Sequence, residues 1–299
     1  MASGLDRVSL PLTVCSMMPT AALLLGFVCA HAAVAGPVGE VNRHYVDERR
    51  LTWGGSGPRP LETAIWYPAK AAAAAAEAQP DRAIFETPVV VQGASLAEAH
   101  EKYPLILISH GTGGCAAALL WMGHYLASHG YLVAAINHHG NTCAEAQPDP
   151  RGYLLWWERA QDLRVALDRV LADPEFGTHI DPRRIGALGF SLGGYTVITV
   201  AGARIDRARY QRFCSSSARD FTCGPQAEYP DAPKLFEQLE KTDPVVQDAL
   251  KHSGDSPATN AEQYATLIPG TRLVEIPGKW DTTILCRTAR TRVRRWPRR

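Results

Sequence analysis

From Arg184 to Thr196 the chain reads Arg-Ile-Gly-Ala-Leu-Gly-Phe-Ser-Leu-Gly-Gly-Tyr-Thr, an apolar run that is broken by Gly-Phe-Ser-Leu-Gly and then resumes. Ile185, Ala187 and Leu188 enter the break as a buried strand would, and Val197, Ile198, Val200 and Ala201 give the stretch after it an apolar helical face. The pattern is strand, sharp turn, helix, with Ser191 at the tip. Such an elbow holds its central residue in a strained backbone conformation, and a side chain at either flanking glycine, Gly189 or Gly193, would collide with the neighbouring strand or helix. The Ser191 hydroxyl is thereby lifted clear of a sheet, where a nucleophile has to stand.

The rest of the chain repeats the same alternation. Leu61 to Pro68 alternates and ends at a proline, which suits a strand near a sheet edge. Tyr103 to Ser109 is a continuous apolar run that empties into His110-Gly111-Thr112-Gly113-Gly114. Leu119, Leu120, Met122, Tyr125 and Leu126 recur at helical spacing before Gly130, and Tyr131 to Asn137 is a further buried strand leading to His138-His139. A long helix is expected from about Tyr153 to Ala172, with Leu163, Ala166, Leu167, Val170 and Leu171 on one face and Arg159, Arg164 and Arg169 on others. This order predicts an α/β chain with a doubly wound, mostly parallel sheet whose functional loops lie at the carboxyl ends of the strands. Residues 204–255 are polar and proline-punctuated, the place either for a lid or for a surface excursion with no role, and Arg272 to Gly278 reads as a final strand.

Residues 1–35 read as a secretory leader: Arg7, an apolar run from Thr20 to Ala30, and Ala33-Val34-Ala35 before Gly36 as the cleavage site, with Met17 or Met18 as alternative starts. The apolar run is too short to span a bilayer. Export to the periplasm or the exterior places the five remaining cysteines in an oxidising compartment, with Cys115–Cys143 and Cys214–Cys223 as the favoured pairs and Cys286 left over. No Cys-x-x-Cys or His-x-x-x-His spacing supports a metal site. Lys279 and seven arginines against Asp281 give the last 22 residues a net +7, so the formal +1 of the whole chain leaves the remainder at about −6. That body offers no basic surface for nucleic acid. Residues 279–299 show no helical or strand period and read as an Arg-rich tail, either divergent or translated in a wrong frame.

Ester hydrolysis by serine needs a nucleophile, donors for the oxyanion, a histidine base and a carboxylate to orient it. The amide of Thr112, in a glycine loop after a strand, and that of Leu192, just after the serine, are the candidate oxyanion donors. The loop lacks the spacing of a phosphate cradle. Ile65-Trp66-Tyr67-Pro68, Ser109 to Gly114, Gly189 to Thr196, and Pro257-Ala258-Thr259-Asn260-Ala261 through Ile268-Pro269-Gly270 together resemble the α/β-hydrolase superfamily. Within it they are most similar to the secreted dienelactone-hydrolase-like and platelet-activating-factor-acetylhydrolase-like esterases, over about residues 40–278. The resemblance implies hydrolysis of a small carboxylic ester through an acyl-enzyme, without a cofactor. True dienelactone hydrolases carry cysteine at the elbow, so Ser191 favours the esterase branch.

The resemblance also implies an acid after a late strand and a histidine after the last one. No strand-like run lies between Ser191 and Pro257, and Gly254-Asp255-Ser256 makes Asp255 the best candidate acid. After Pro277-Gly278 the chain reads Lys279-Trp280-Asp281, and no histidine occurs beyond His252. His252 precedes Asp255, the wrong order, while His138 and His139 would require a rearranged triad. Three readings therefore stand side by side: a serine esterase impaired by the missing histidine, a non-catalytic ester- or lipid-binding relative, and a defective product with strands missing. Tyr153, Trp156, Trp157 and Trp121 are candidates for an acyl pocket or for core.

Overall fold

Three apolar runs at the centre of one sheet determine where everything else sits. The computed structural model describes residues 36–70, 89–99, 101–201, 207–219, 223–224, 230–252, 271–276 and 283–288. In chain order the strands are β1 (Val38–Leu51), β2 (Pro58–Pro68), β3 (Val91–Gln92), β4 (Tyr103–Ser109), β5 (Leu132–Ile136), β6 (Ile180–Gly189), β7 (Thr271–Ile276) and β8 (Thr283–Thr288). The helices are α1 (Leu120–Ser128), α2 (Pro150–Leu154), α3 (Arg159–Leu171), α4 (Leu192–Val200), α5 (Arg207–Cys214), α6 (Ala232–Thr242) and α7 (Pro244–His252). None of the described helices is long and apolar enough to cross a membrane.

β4 lies between β5 and β6 and is parallel to both. The register sets Ser109 opposite Ile136 on one side and Gly189 on the other, so the three strands deliver their following loops to one sheet edge. Alternation along the strands divides the core into two layers. Leu105, Leu107, Leu132, Ala134 and Ile136 point to one face and are covered by Leu163, Ala166 and Val170 of α3 and Val197 of α4. Ile106, Ile108, Val133, Ala135 and Leu188 point to the other, under Leu120 and Ala127 of α1. Helices thus lie on both faces, as expected for a doubly wound sheet.

The flanks differ from expectation. The eight strands run β3-β1-β2-β5-β4-β6-β8-β7, parallel at the centre, whereas β1·β2, β2·β5, β6·β8 and β8·β7 are antiparallel. β2 is not near an edge: it pairs β5 on one side and β1 on the other, and Leu61, Ile65, Trp66 and Tyr67 are fully buried. β1 escaped sequence reading because its pattern is polar, and it is tied down by side-chain pairs such as Arg43 and Tyr45 to Asp173. The long helix is broken: α2 stops at Leu154, Leu155 takes φ −97° and ψ 48°, and a short 3-10 turn at Trp156–Glu158 precedes α3. β7 matches the expected final strand, but β8 adds another within the stretch read as a featureless tail, where the arginines obscure Thr-Ile-Leu-Cys. The expected leader, residues 1–35, lies outside the described residues, as do Asp255 and Lys279 to Asp281.

Candidate active site

Ser191 stands at the turn between β6 and α4 with φ 51° and ψ −119°, and it is the only non-glycine with a positive φ among the described residues. A left-handed serine is held only where its surroundings leave no alternative. Here a Cβ on Gly189 would overlap the carbonyl oxygen of Gly193, and one on Gly193 would overlap that of Ser109. Phe190 N–H donates to Ser109 O at 3.1 Å, which pins the turn to the end of β4. Ser191 is exposed, beside Phe190 at 40% exposure.

The glycine loop after β4 faces this turn, since a Cβ on Gly111 would come to 3.3 Å from that of Ser191. The loop is laced to the segment after β5. Gly113 N–H donates to Asn141 Oδ1 at 2.6 Å, Cys143 N–H to Gly114 O at 3.0 Å, and Ala116 N–H to Asn137 Oδ1 at 2.8 Å. The Cys115–Cys143 disulfide, Cα–Cα 5.2 Å, closes the same pair of loops, and Cys214–Cys223 is the second bridge, both as expected. Leu192 opens α4, so its N–H belongs to the helix's unsatisfied first turn. Among the described residues neither that amide nor that of Thr112 has a hydrogen-bond acceptor. Elbow, glycine loop and parallel centre decide the fold.

This is an α/β-hydrolase fold. The sequence family described as PETase, PET hydrolase-like, matches residues 95–211. Cutinase est1 of Thermobifida alba is 36% identical over 106 residues, 35% of this chain and 32% of its own length. Lipase 1 of Moraxella sp. (strain TA144) is 37% identical over 87 residues, 29% of this chain and 24% of its own length. The chain thus spans about a third or less of the curated relatives it matches. The solved ferulic acid esterase from Streptomyces cinnamoneus is 29% identical, covers 56% of each chain and superposes with a TM-score of 0.44.

The histidines do not complete the site. His138 is buried, and its Nε2 lies 2.9 Å from Ser109 Oγ while Nδ1 lies 2.9 Å from Asp162 Oδ2. His110 Nδ1 meets Gly111 O at 2.7 Å, and its Nε2 accepts from His138 N–H at 3.2 Å. His139 Nδ1 meets Glu145 at 2.7 Å and Nε2 accepts from Trp53 N–H at 3.3 Å. Both ring nitrogens of all three are therefore engaged away from Ser191, and no described residue hydrogen-bonds its hydroxyl. His252 ends α7. Nor do the described residues hold a cluster of three or more His, Cys, Asp or Glu suited to a metal ion.

Sequence reading missed Ser109, Arg159 and Asp162. Arg159, expected off the helix's apolar face, is 2% exposed and donates to His110 O and, at 3.4 Å, to Ser109 Oγ. Burial draws its pKa down to about 9 against the attraction of Asp162. Burial alone would raise Asp162; Arg50 at 2.6 Å, His138 and Arg59 overturn that and hold it well below the usual carboxylate range. Burial and the Arg159 charge bring His138 down to about 4, opposed by Asp162. The only signal available was the Arg159/Asp162 pair one turn apart, which a surface helix also carries.

The aromatic candidates divide. Trp157 is core, packed with Trp53, Leu155 and Val246, against which Phe236, Leu239, Ala249 and Leu250 of α6 and α7 also rest. Trp156 meets Tyr195, four residues after Ser191, edge-on at 4.7 Å. Tyr153 Oη abuts Gly113 of the glycine loop, and Trp121 is 38% exposed on α1. Arg151 holds the α6–α7 junction through Asp243, 2.7 Å, and Asp243 in turn caps α7 at Val245 and Val246 N–H.

Proposed function

We propose that the chain is a serine carboxylic-ester hydrolase that works through a Ser191 acyl-enzyme and turns over slowly for want of the family histidine. Thr112 and Leu192 amides receive the oxyanion, and Asp255 is the acid that would orient a base. The observation that carries this is the exposed serine in a left-handed turn, with Gly111 of the glycine loop against it. The names of the matched cutinases and lipase support an ester substrate. Serine at the elbow favours the esterase branch over true dienelactone hydrolases, and the His-Gly-Thr-Gly-Gly loop supports the dienelactone-hydrolase-like and platelet-activating-factor-acetylhydrolase-like esterases, with no cofactor. The α6–α7 pair, resting on Trp157, which stacks edge-on with the Trp156 that meets Tyr195, is the lid over the acyl side. Two disulfides and the leader-like start support export.

In a complete triad one histidine serves both acylation and deacylation. Its absence slows both, so an acyl group that reaches Ser191 stays there. The test is intact-mass analysis after incubation with p-nitrophenyl butyrate, alongside release of p-nitrophenol. The expected result is a persistent butyryl adduct on the Ser191 peptide, absent from Ser191→Ala. Turnover through the adduct should be slow, within roughly 10³ to 10⁴ over water, and Ser191→Ala should retain only the part of that rate that oxyanion donors and binding supply to direct attack by water. Fast turnover abolished by Ser191→Ala would show an intact base. Tight binding of the ester with neither adduct nor release would favour the non-catalytic alternative, for which the engagement of His110, His138 and His139 elsewhere is the supporting observation.

A further inference from the structure

Ser109, His138 and Asp162 reproduce the atom order of a catalytic triad, Oγ to Nε2 at 2.9 Å and Nδ1 to carboxylate at 2.9 Å, at a place no substrate can enter. Ser109 is 0%, His138 1% and Asp162 3% exposed. Asp162 is an ionised acceptor, so Nδ1 of His138 carries the ring proton, Nε2 accepts, and the Ser109 hydroxyl donates. Asp162 Oδ1 is occupied in turn by Arg50, and Ser109 Oγ accepts from Arg159. Every hydrogen bond of the array thereby has a fixed donor and a fixed acceptor.

The array ends on the backbone that carries the site. Ser109 O accepts from Phe190 N–H at the elbow and is the atom against which Gly193 packs. The next residue, His110, receives Arg159 on its carbonyl and His138 N–H on its ring, and Gly111 after it faces Ser191. We propose that Ser109, His138 and Asp162 are positioning residues that lock the end of β4, and so fix the Ser191 turn and the Gly111–Gly114 loop relative to each other. The catalytic relevance of that lock rests on the reading of Ser191 as nucleophile. The lock itself does not.

The test uses Ser109→Ala, which removes one hydroxyl, with Asp162→Asn as the second variant. Amide hydrogen exchange is followed in peptides spanning 109–115 and 189–195 against 58–68 of β2, together with the rate at which a p-nitrophenyl alkylphosphonate labels Ser191. Loss of a buried hydrogen bond that leaves its acceptor unpaired should raise exchange in the two loop peptides about tenfold, with β2 unchanged, and slow labelling by a similar factor. Unchanged loop exchange and labelling in Ser109→Ala would overturn the proposal, as would exchange rising equally in β2, the mark of a purely global loss of stability. If Asp162→Asn does not fold, Ser109→Ala decides alone. Faster loop exchange in a protein whose Ser191 is never labelled, even unmutated, would uphold the lock while sinking the nucleophile.

Discussion

A carbonyl oxygen at the end of β4 decides how much freedom Ser191 has. Gly193 lies directly on Ser109 O, and Gly189 on the carbonyl of Gly193, so backbone meets backbone at both flanks with no flexible side chain to yield. Gly193→Ala should therefore cost about 3 kcal/mol, the upper range for overpacking a site that cannot relax. Urea unfolding of the variant measures it; a loss under about 1 kcal/mol would mean that the turn opens readily and is not held at φ 51° by its packing. Both glycines were legible in the sequence because the demand they meet is local. Ser109 was not: it is one more small residue at the end of an apolar strand, and its importance comes from residues 29 and 53 positions away.

At the scale of elements, what could be read was whatever a single run of residues specifies. β4, β5, β6 and α4 announce themselves by continuous apolar sequence or by the elbow, and the loops at their ends followed. β1 and β8 did not, since a strand satisfied through a neighbour's register needs no apolar period of its own, and β1 is further held by ion pairs such as Arg43–Asp173. The Cys115–Cys143 pairing was readable because adjacent parallel strands bring the starts of their following loops together. That bridge closes 28 residues, and the chain-entropy relation assigns such a loop about 3.5 kcal/mol. Replacing both cysteines by alanine should lower the urea-derived stability by about that amount. It should also loosen the Gly113–Asn141 and Gly114–Cys143 hydrogen bonds, visible as faster amide exchange at Gly113 and Cys143. An unchanged stability would mean that the loops are held by those hydrogen bonds and the asparagines alone.

For the whole molecule, the consequence of two buried neutral histidines is a stability that depends on pH well above the carboxylate range. Burial, then the Arg159 charge and His138, hold His110 well below its ordinary pKa, and burial with Arg159 holds His138 at about 4. Asp162 faces both and pulls the other way, as does the Gly111 carbonyl on His110, while Arg50 opposes protonation of His138. In the unfolded chain both titrate near 6.5. Below pH 6.5 the unfolded state therefore takes up protons at both rings that the folded state does not, for His138 down to about pH 4, and stability rises with pH across that window. The slope approaches about 1.4 kcal/mol per pH unit for each histidine, the loss being complete only below the folded pKa values. Below about pH 4 Asp162 and Asp173, whose pKa values are lowered in the folded state, add their own loss as they protonate. Urea unfolding between pH 4.5 and 7.5 should show the fall beginning near 6.5, and His138→Gln should make the slope shallower while keeping a neutral side chain beside Asp162. A profile flat down to pH 4.5 would mean that the two rings take up protons in the folded protein, and that Asp162 outweighs Arg159 at the centre of the molecule.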